Sequence, residues 1–339
     1  MPAFQRLLEI KKDTVVHLAR DRARVAACPD MGGRVFVELD GQCAHRIDLA
    51  AVARPGQPFN NFGGVNLWPA PEGGPFGFNY EGSRWYVQPA INVEPFAVRE
   101  RTERSVLFEK KAALINRKGI RVEVVVTRRV AFSPLAACIE GCPLAASVAV
   151  ETRDEFTVTN RVASDQALIA AWNLEQFTAT GETVAFIRVA DPRESINWDF
   201  YEPHPKALVS WCPHGFTFRT DGRHKGQIGI RKAARPEGIG FYDLARRWVC
   251  LKENLTPLDG MFFNIADNDQ PAGPWSAADT YSIFNSDADM AAFELETIGP
   301  LHLEGGRLAR APLVSRTTYA IFETADAIRI FLDRYLGKG

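Results

Sequence analysis

The sequence lacks the features that mark membrane and nucleic-acid-binding proteins. No uninterrupted apolar run in its 339 residues approaches the roughly 20 residues that a helix needs to cross a bilayer. Basic residues are not in excess, because 40 Lys and Arg stand against 41 Asp and Glu and leave a formal net charge of −1. This balance excludes the basic surface that attracts nucleic acid or anionic lipid. The expected partner is therefore a small molecule, with no nucleic acid and no membrane among the partners.

Cysteine is sparse, and its spacing does not suit a metal site. Among the six cysteines only Cys138 and Cys142 lie close together, one residue further apart than in a CxxC motif, and no second pair accompanies them. Free thiols are the expected state, with a disulfide between these two segments as the alternative. The acidic run at 267–269 has oxygen ligands that suit calcium but lacks the spacing and glycine of a calcium loop, which favours a turn. No metal ion and no cofactor are expected.

A targeting signal is also missing from the sequence. Residues 1–13 mix charged and apolar side chains, with neither an uninterrupted apolar segment nor a small-residue cleavage site. Together with the expected free thiols, this indicates a cytoplasmic protein.

What the chain does contain is period-two patterning. Ile120, Val122, Val124 and Val126 alternate with residues that are mostly polar, as in a half-buried strand. Similar runs recur at short spacing along the chain, separated by turn signals such as Asp40-Gly41. Few helical stretches lie between them. The pattern predicts an all-β fold, a large antiparallel β-sandwich, rather than alternating strands and helices.

One helix and one long loop interrupt this pattern. Thr324 can cap a short C-terminal helix whose apolar residues recur at helical spacing up to Gly337. Residues 54–81 are rich in Gly, Pro and aromatic residues, which predicts an irregular but ordered loop beside a cleft. No linker, repeat or shift in composition divides the chain, so residues 1–339 are predicted to form a single domain.

Two carboxylates share one face of a strand in the last fifth of the chain. In the run Phe293-Glu294-Leu295-Glu296, alternation turns both glutamates to the same side, roughly 6.5–7 Å apart along the strand. Gly299-Pro300 then ends the strand. Such a strand fits either a cleft for a polar ligand or the solvated outer face of a sheet.

Three segments, taken together, carry a family resemblance. They read Pro-Asp-Met-Gly-Gly-Arg-Val at 29–35, Gly-Gly-Val-Asn-Leu-Trp-Pro at 63–69 and Leu-Glu-Thr at 295–297. Their order and approximate spacing resemble the galactose-mutarotase-like superfamily, the large β-sandwich of aldose 1-epimerases and hexose-6-phosphate mutarotases, over nearly the whole chain. The resemblance implies a β-supersandwich with a sugar cleft on its concave face.

The resemblance also implies the chemistry of this cleft. Glu296 would be the base that takes the proton of the anomeric hydroxyl. An acid at the ring oxygen would open the pyranose, and closure on either face would give either anomer. Glu294, as a like charge beside Glu296, would raise the pKa of this base.

The acid departs from the family pattern. The enzymes of the family bring one histidine soon after the tryptophan loop and another from a mid-chain strand, but residues 68–110 contain no histidine. On the mid-chain strand Glu175 or Gln176 stands where a histidine is expected, and His204 lies in a second irregular region. We therefore expect Glu175 or His204 to supply the acid, with Glu175 and Glu296 facing one hollow.

Further residues are expected to bind the substrate. Two tryptophans offer apolar faces to a sugar ring. An asparagine shares a strand face with the mid-chain glutamate, and one more glutamate lies in the loop near the cleft. The expected substrate-binding residues are Trp68, Trp172, Asn173, Glu294 and Glu72.

The sequence thus predicts a carbohydrate-binding protein with aldose 1-epimerase-like activity. Two alternatives stay open. The missing histidines favour a non-catalytic sugar-binding module. A glycoside hydrolase or lyase with paired carboxylates would require Glu175 and Glu296 at a separation of about 5 Å or about 6.5–9.5 Å.

Overall fold

The computed structural model describes residues 1–56, 59–81, 84–266, 273–275 and 277–337. The acidic run at 267–269, interpreted as a turn, lies outside these residues. Within the described ranges, no helix has the length and apolar character needed to cross a membrane. All six cysteines are free thiols, as predicted.

Strands dominate the described chain. They are β1 (Val16–Arg20), β2 (Ala23–Cys28), β3 (Arg34–Leu39), β4 (Gln42–Cys43), β5 (Gly64–Ala70), β6 (Tyr80–Glu81), β7 (Arg84–Trp85), β8 (Ala97–Arg101), β9 (Ser105–Ile115), β10 (Arg121–Ser133), β11 (Leu144–Val158), β12 (Ala170–Thr178), β13 (Val184–Arg188), β14 (Ile196–Asn197), β15 (Val209–Cys212), β16 (Gly215–Arg219), β17 (Gly226–Arg231), β18 (Gly238–Asp243), β19 (Trp248–Asn254), β20 (Asp279–Asn285), β21 (Ala292–Ile298), β22 (His302–Glu304) and β23 (Arg307–Phe322). The helices are α1 (Ala3–Ile10), α2 (Leu49–Ala53), α3 (Pro89–Asn92) and α4 (Ala325–Leu336).

Two large antiparallel sheets pack face to face. The first sheet has the strand order β1-β2-β3-β5-β12-β21-β20-β17-β14, with β4 beside β3. The second sheet has the order β15-β16-β13-β18-β19-β23-β11-β10-β9-β8, with β22 beside β23. Strands β12 and β21 of the first sheet contact β23 and β19 of the second. The predicted all-β antiparallel supersandwich is confirmed.

The alternating pattern places the main core between the sheets. Along β10, Val122, Val124 and Val126 are almost fully buried, while Glu123 and Val125 between them are more exposed. Full burial of a valine side chain stabilises the fold by about 1.5–3 kcal/mol relative to exposure. The same core cluster includes residues of both sheets, so it joins them into one packed layer.

The C-terminal helix α4 forms as predicted. The Thr324 hydroxyl accepts a 3.1 Å hydrogen bond from the backbone N–H of Ala327, and Gly337 ends the helix at a φ of 71°. The apolar face of α4 packs on Phe186 and Phe322. The helix therefore covers part of the second sheet.

Helix α1 is an element that the sequence analysis did not predict. It buries Phe4 and Leu7 in a small cluster with Met31 and Phe36. No side chain caps its first turn, because Pro2 occupies the N-cap position. A helix with neither a capping side chain nor more than about two turns leaves too short a pattern to recognise.

The stretch 54–81 contains a strand that the sequence analysis also missed. All seven residues of β5 are buried, and β5 pairs with β3 on one side and β12 on the other. Burial on both faces removes the alternation that identifies a half-exposed strand. Gly64 and Pro69 weaken the strand signal further. The prediction of an irregular stretch is therefore wrong for β5.

Candidate functional site

A cavity of about 510 Å³ opens on the outer face of the first sheet, the face that points away from the second sheet. Its floor comes from adjacent strands of that sheet, and its rim comes from the segments around β6 and β7. The lining residues are Arg34, Phe59, Asn61, Gly64, Asn66, Trp68, Glu72, Tyr80, Trp85, Trp172, Leu174, Gln176, Tyr201, Lys225, Gln227, Phe284, Met290, Glu294 and Glu296.

Strand alternation on β12 decides which of its residues reach the cavity. Trp172, Leu174 and Gln176 line the cavity. Asn173 and Glu175, which lie between them, make their hydrogen bonds to side chains of the second sheet. The central strand thus has a cavity face and a face buried between the sheets.

Strand β21 brings both of its glutamates to the cavity face. Glu296 lies beside Leu174 of β12, and Glu294 lies beside Gln176. Glu296 is only 1% exposed. Both glutamates line a cavity, so the interpretation of this strand face as a solvated sheet face is wrong.

Glu296 is fixed in the cavity floor by hydrogen bonds. The indole Nε1 of Trp172 donates to its Oε2 at 3.0 Å, and the amide Nε2 of Gln227 lies 3.3 Å from both carboxyl oxygens. Burial and the neighbouring charge of Glu294 raise the pKa of Glu296 well above its usual value, against hydrogen bonds from Ser282 and Trp172. The carboxyl group is therefore oriented, and it accepts a proton more readily than a solvated glutamate does.

Glu294 is the second carboxyl group of the cavity. Gln176 donates a 2.7 Å hydrogen bond from its Nε2 to Oε1 of Glu294. Burial raises the pKa of Glu294, while the bond from Gln176, the positive charge of Arg34 and a hydrogen bond with Glu296 act against that rise. The two carboxyl groups therefore titrate as one unit that retains a shared proton more firmly than solvated carboxyls do.

Arg34 supplies a buried positive charge beside this pair. Its side chain is 3% exposed, donates to the carbonyl oxygen of Gly63 at 2.9 Å and lies 5.2 Å from the centre of the Phe62 ring. Burial lowers the pKa of Arg34 to about 9, and the charge of Glu294 acts in the opposite direction. The guanidinium remains largely protonated at neutral pH.

The glycine pair at 63–64 makes this arrangement sterically feasible. Gly64 has a φ of +72°, and a Cβ atom there would lie 2.7 Å from the carbonyl oxygen of Val35 and from the Phe36 ring. Gly63 has a φ of +83° and offers its carbonyl oxygen to Arg34. Only glycine adopts these positive φ values without strain and leaves room for such close neighbours. The Gly-Gly motif of the sequence thus shapes the cavity floor.

Four aromatic side chains form a continuous aromatic wall, defined by Trp172, Trp68, Phe59 and Trp85. The ring centres of Trp172 and Trp68 are 6.1 Å apart, those of Trp68 and Phe59 are 5.9 Å apart, and those of Phe59 and Trp85 are 5.0 Å apart, all edge-to-face. Trp172 is 2% exposed and Trp85 is 40% exposed. The wall therefore runs from the buried floor to the solvent-facing rim.

Glu175 lies on the other face of β12, buried between the two sheets. Lys252 and Thr317 each donate to its Oε2 at 2.8 Å, and the Tyr319 hydroxyl donates to its Oε1 at 2.5 Å. His45 donates from Nε2 at 2.9 Å, because its Nδ1 accepts a backbone N–H. Burial alone raises the pKa of Glu175, but Lys252 and His45 outweigh it and bring this pKa below the usual carboxyl range.

The expectation that Glu175 and Glu296 face one hollow is therefore wrong. In the register of the sheet Glu296 lies opposite Leu174, so Glu175 points through the sheet to the other side. Glu175 is an ionised member of a buried network and does not reach a ligand in the cavity. Glu175 and Glu296 therefore do not share one face of the sheet, as the glycoside hydrolase alternative assumed.

Asn173 belongs to the same buried network, and its predicted place in the binding site is wrong. Its amide nitrogen donates to Thr152 at 3.1 Å and to Asp154 at 3.3 Å, and its oxygen accepts from Lys252 at 2.8 Å. We refer to Glu175, Lys252, His45, Thr317, Tyr319 and Asn173 as the inter-sheet network.

His204 also lies outside the cavity. Its Nε2 is 3.0 Å from a carboxyl oxygen of Glu202, and its ring centre is 6.1 Å from that of Trp198. Among the described residues that line the cavity there is no histidine. His204 therefore does not lie where the acid was expected, and this prediction is wrong.

The remaining predicted residues do lie at the cavity. Trp68 and Trp172 belong to the aromatic wall, and Glu72 accepts a 3.1 Å hydrogen bond from Nε1 of Trp85 at the rim. The sequence analysis missed other polar residues there. Strand alternation could have predicted Gln176 as a cavity residue, because it shares a face of the strand with Trp172. Gln227 comes from β17, and no local pattern connects it with β21.

The chain was compared with known proteins. A family model described as a family of unknown function (DUF6786) matches residues 4–302. No curated protein matches the chain.

Solved structures with low sequence identity share the fold. A galactose mutarotase related enzyme from Lactobacillus acidophilus is 10% identical with a TM-score of 0.53, and the match covers 92% of this chain and 99% of that one. An Escherichia coli K12 protein provisionally described as an aldose 1-epimerase is 12% identical with a TM-score of 0.51, covering 91% and 98%. A galactose mutarotase-like protein from Lactobacillus casei is 9% identical with a TM-score of 0.51, covering 90% and 99%. The galactose mutarotase-like fold is thereby confirmed.

Proposed function

We propose that this chain, which belongs to the family of unknown function DUF6786, binds a sugar in the cavity of the first sheet and interconverts the anomers of its reducing end. The observation that carries this proposal is the pair Glu294 and Glu296, two carboxyl groups with raised pKa values in one aromatic-walled cavity. The fold shared with galactose mutarotase-like proteins supports a sugar as the ligand.

The cavity offers the two kinds of contact that a sugar ring requires. The indole faces of Trp68 and Trp172 suit the apolar C–H face of a pyranose. Carboxyl, amide and guanidinium groups, among them Gln176 and Arg34, suit its hydroxyls. A ring that stacks on the floor in this way brings its anomeric carbon near the carboxyl pair.

The carboxyl pair can supply both the base and the acid. In the proposed reaction the form of the pair that reacts carries its single proton on Glu294 and leaves Glu296 ionised. Glu296 takes the proton of the anomeric hydroxyl while the bond from the anomeric carbon to the ring oxygen breaks, and Glu294 gives its proton to the ring oxygen. Rotation of the open aldehyde exposes its other face. The reverse transfers then close the ring and restore both carboxyl groups, so no co-reactant is consumed.

This proposal differs from the expectation drawn from the sequence in the identity of the acid. Glu296 keeps the role of base. Glu294 replaces Glu175 and His204 as the proton donor, because it is the neighbouring carboxyl group on the same cavity face. Trp172 and Gln227 hold the base in place through their hydrogen bonds to Glu296.

The first prediction concerns the Glu296→Gln variant. We expect wild-type protein to accelerate the exchange between α and β anomers of at least one sugar among D-glucose, D-galactose and D-mannose, measured by exchange NMR against buffer alone. Glutamine has nearly the same shape but accepts no proton at neutral pH. The anomer exchange rate of the Glu296→Gln variant should therefore be about 10²–10⁴-fold below the wild-type rate, because this is the usual contribution of a general base.

The matched control is Glu304→Gln, which changes an exposed glutamate of β22 outside the cavity and should retain the wild-type rate. Equal rates in the wild type and in Glu296→Gln would remove the assigned catalytic role. If the folded wild type neither binds nor interconverts any of the three sugars, the proposed function fails.

A second candidate function is sugar binding without catalysis. It is favoured by the absence of histidine from the described lining residues. Calorimetric titration with the same three sugars separates the two functions. Binding by the wild type without faster anomer exchange supports the binding module, whereas binding with faster exchange supports the enzyme.

A further inference from the structure

The cavity contains one side-chain arrangement twice. On the floor, Nε1 of Trp172 donates to Oε2 of Glu296 at 3.0 Å. At the rim, Nε1 of Trp85 donates to Oε1 of Glu72 at 3.1 Å. In both places an indole N–H orients a carboxylate, so an apolar ring face and an acceptor for hydroxyl hydrogen bonds stand side by side.

The two tryptophan–glutamate pairs differ in their exposure. Trp172 and Glu296 are 2% and 1% exposed, whereas Trp85 is 40% exposed. A deep pair and a solvent-facing pair in one cavity suit a ligand whose first unit is enclosed and whose second unit extends toward solvent.

The aromatic wall connects the two pairs without a break. Phe59 contacts Trp85 at a ring-centre distance of 5.0 Å and Trp68 at 5.9 Å, and Trp68 contacts Trp172 at 6.1 Å. The charge of Glu72 also acts on the carboxyl of Glu296, which places the rim pair within electrostatic range of the floor pair. A ligand can therefore contact both pairs along one apolar surface.

The size of the cavity agrees with this extended ligand. A volume of about 510 Å³ lies within the ~300–1,000 Å³ range of pockets that enclose drug-sized molecules. A single hexose is smaller than such a molecule. One sugar ring on the floor leaves part of the cavity open toward the rim.

We infer that Trp85 and Glu72 form a second sugar-binding subsite, and that the substrate class is a reducing disaccharide or longer oligosaccharide rather than a free monosaccharide. The reducing-end ring lies on the floor at Trp172 and Glu296, and the next ring stacks on Trp85. The inference rests on the proposed function, because it assigns the floor to the reducing end.

The test compares sugars of one and two rings. Calorimetric titrations use D-glucose, maltose and cellobiose with the wild type and with Trp85→Ala. We expect at least one disaccharide to bind the wild type about tenfold more tightly than D-glucose, which corresponds to about 1.4 kcal/mol. In Trp85→Ala this gain should disappear, so that neither disaccharide binds more tightly than D-glucose does.

The matched control is Trp275→Ala, which removes another exposed tryptophan, 53% exposed and outside the cavity lining. It should retain the disaccharide gain. D-Glucose binding with no gain for either disaccharide, or a gain that survives Trp85→Ala, overturns the second subsite and leaves the proposed function standing. Absence of binding for all three sugars overturns the second subsite, and it overturns the proposed function as well only if D-galactose and D-mannose also fail to bind.

Discussion

Glu294 and Glu296 lie close enough on β21 that each controls how the other titrates. Burial raises the pKa of both groups, and the charge of Glu294 raises that of Glu296 further. Ionising the second carboxyl of such a pair places two like charges in a partly dry site. One proton therefore stays on the pair over a wider and more alkaline range than on solvated glutamates.

The second prediction follows from this shared proton. The exchange rate should depend on pH in a bell shape, because the reaction needs one carboxylate and one carboxylic acid. At low pH both groups are protonated and no base remains, and at high pH both are ionised and no acid remains. Since both pKa values are raised, both limbs should lie above the usual carboxyl titration near pH 4.3.

The measurement is the exchange rate per enzyme between roughly pH 4 and pH 10, corrected for the rate in buffer. In Glu294→Gln the acid is missing, so the residual rate should rise once with pH as Glu296 ionises and should lack the falling limb. Because no like charge opposes the first ionisation of the pair, that rise should lie near the rising limb of the wild type. A flat profile in the wild type would contradict the shared-proton mechanism.

Local patterns made some cavity residues predictable and left others hidden. Glu294 and Glu296 share a face because they are two residues apart on a strand, and this could be predicted from the sequence alone. The choice between Gln176 and Glu175 required knowledge of which face of β12 carries the cavity. Gln227 arrives from a strand about 70 residues earlier in the chain, and only the folded register brings it to Glu296.

At the scale of the element, β12 separates two kinds of polar chemistry. Its outer face contributes Trp172 and Gln176 to the cavity, and its inner face contributes Asn173 and Glu175 to the inter-sheet network. Eight of its nine residues are buried, so no alternation between buried and exposed residues shows which face carries the cavity. For this reason the sequence predicted the strand correctly but assigned Glu175 to the wrong side.

The third prediction concerns the inner face of β12. Four donors, from Lys252, His45, Thr317 and Tyr319, converge on the oxygens of Glu175. In Glu175→Gln one oxygen becomes an amide nitrogen that faces these donors, and Lys252 loses its counter-charge. We expect a loss of about 3–5 kcal/mol in the free energy of unfolding, measured by urea denaturation.

The matched control for this prediction is Glu253→Gln, on β19 next to Lys252. Glu253 pairs with Arg316 through contacts of 2.7 and 2.9 Å, but both side chains of that pair are 17% exposed. Because this pair is partly exposed to solvent, its replacement should cost clearly less than that of Glu175. Equal losses of unfolding free energy in the two variants would show that the buried inter-sheet network stabilises the fold no more than a partly exposed ion pair does.

At the scale of the whole molecule, the inter-sheet network and the cavity lie on opposite faces of the first sheet. The second sheet covers the inner face, so the side chains of that face pack against the second sheet and form buried ion pairs with it. The outer face is left for a ligand, and the segments around β6 and β7 wall it in. The repeated alternation predicted the sandwich, because each strand must bury one face. It did not predict which face of the first sheet is open, since that depends on how the two sheets stack.

The most direct test of the central claim is fluorine NMR of protein labelled with 5-fluorotryptophan at its seven tryptophans. The ligand is whichever of D-glucose, D-galactose, D-mannose, maltose or cellobiose binds most tightly. The account predicts that the resonances of Trp68 and Trp172, on the cavity floor, shift on titration, while those of Trp211 and Trp248, on the second sheet, stay in place. Shifts confined to Trp211 and Trp248, or no shift at saturating sugar, would contradict a sugar site on the outer face of the first sheet.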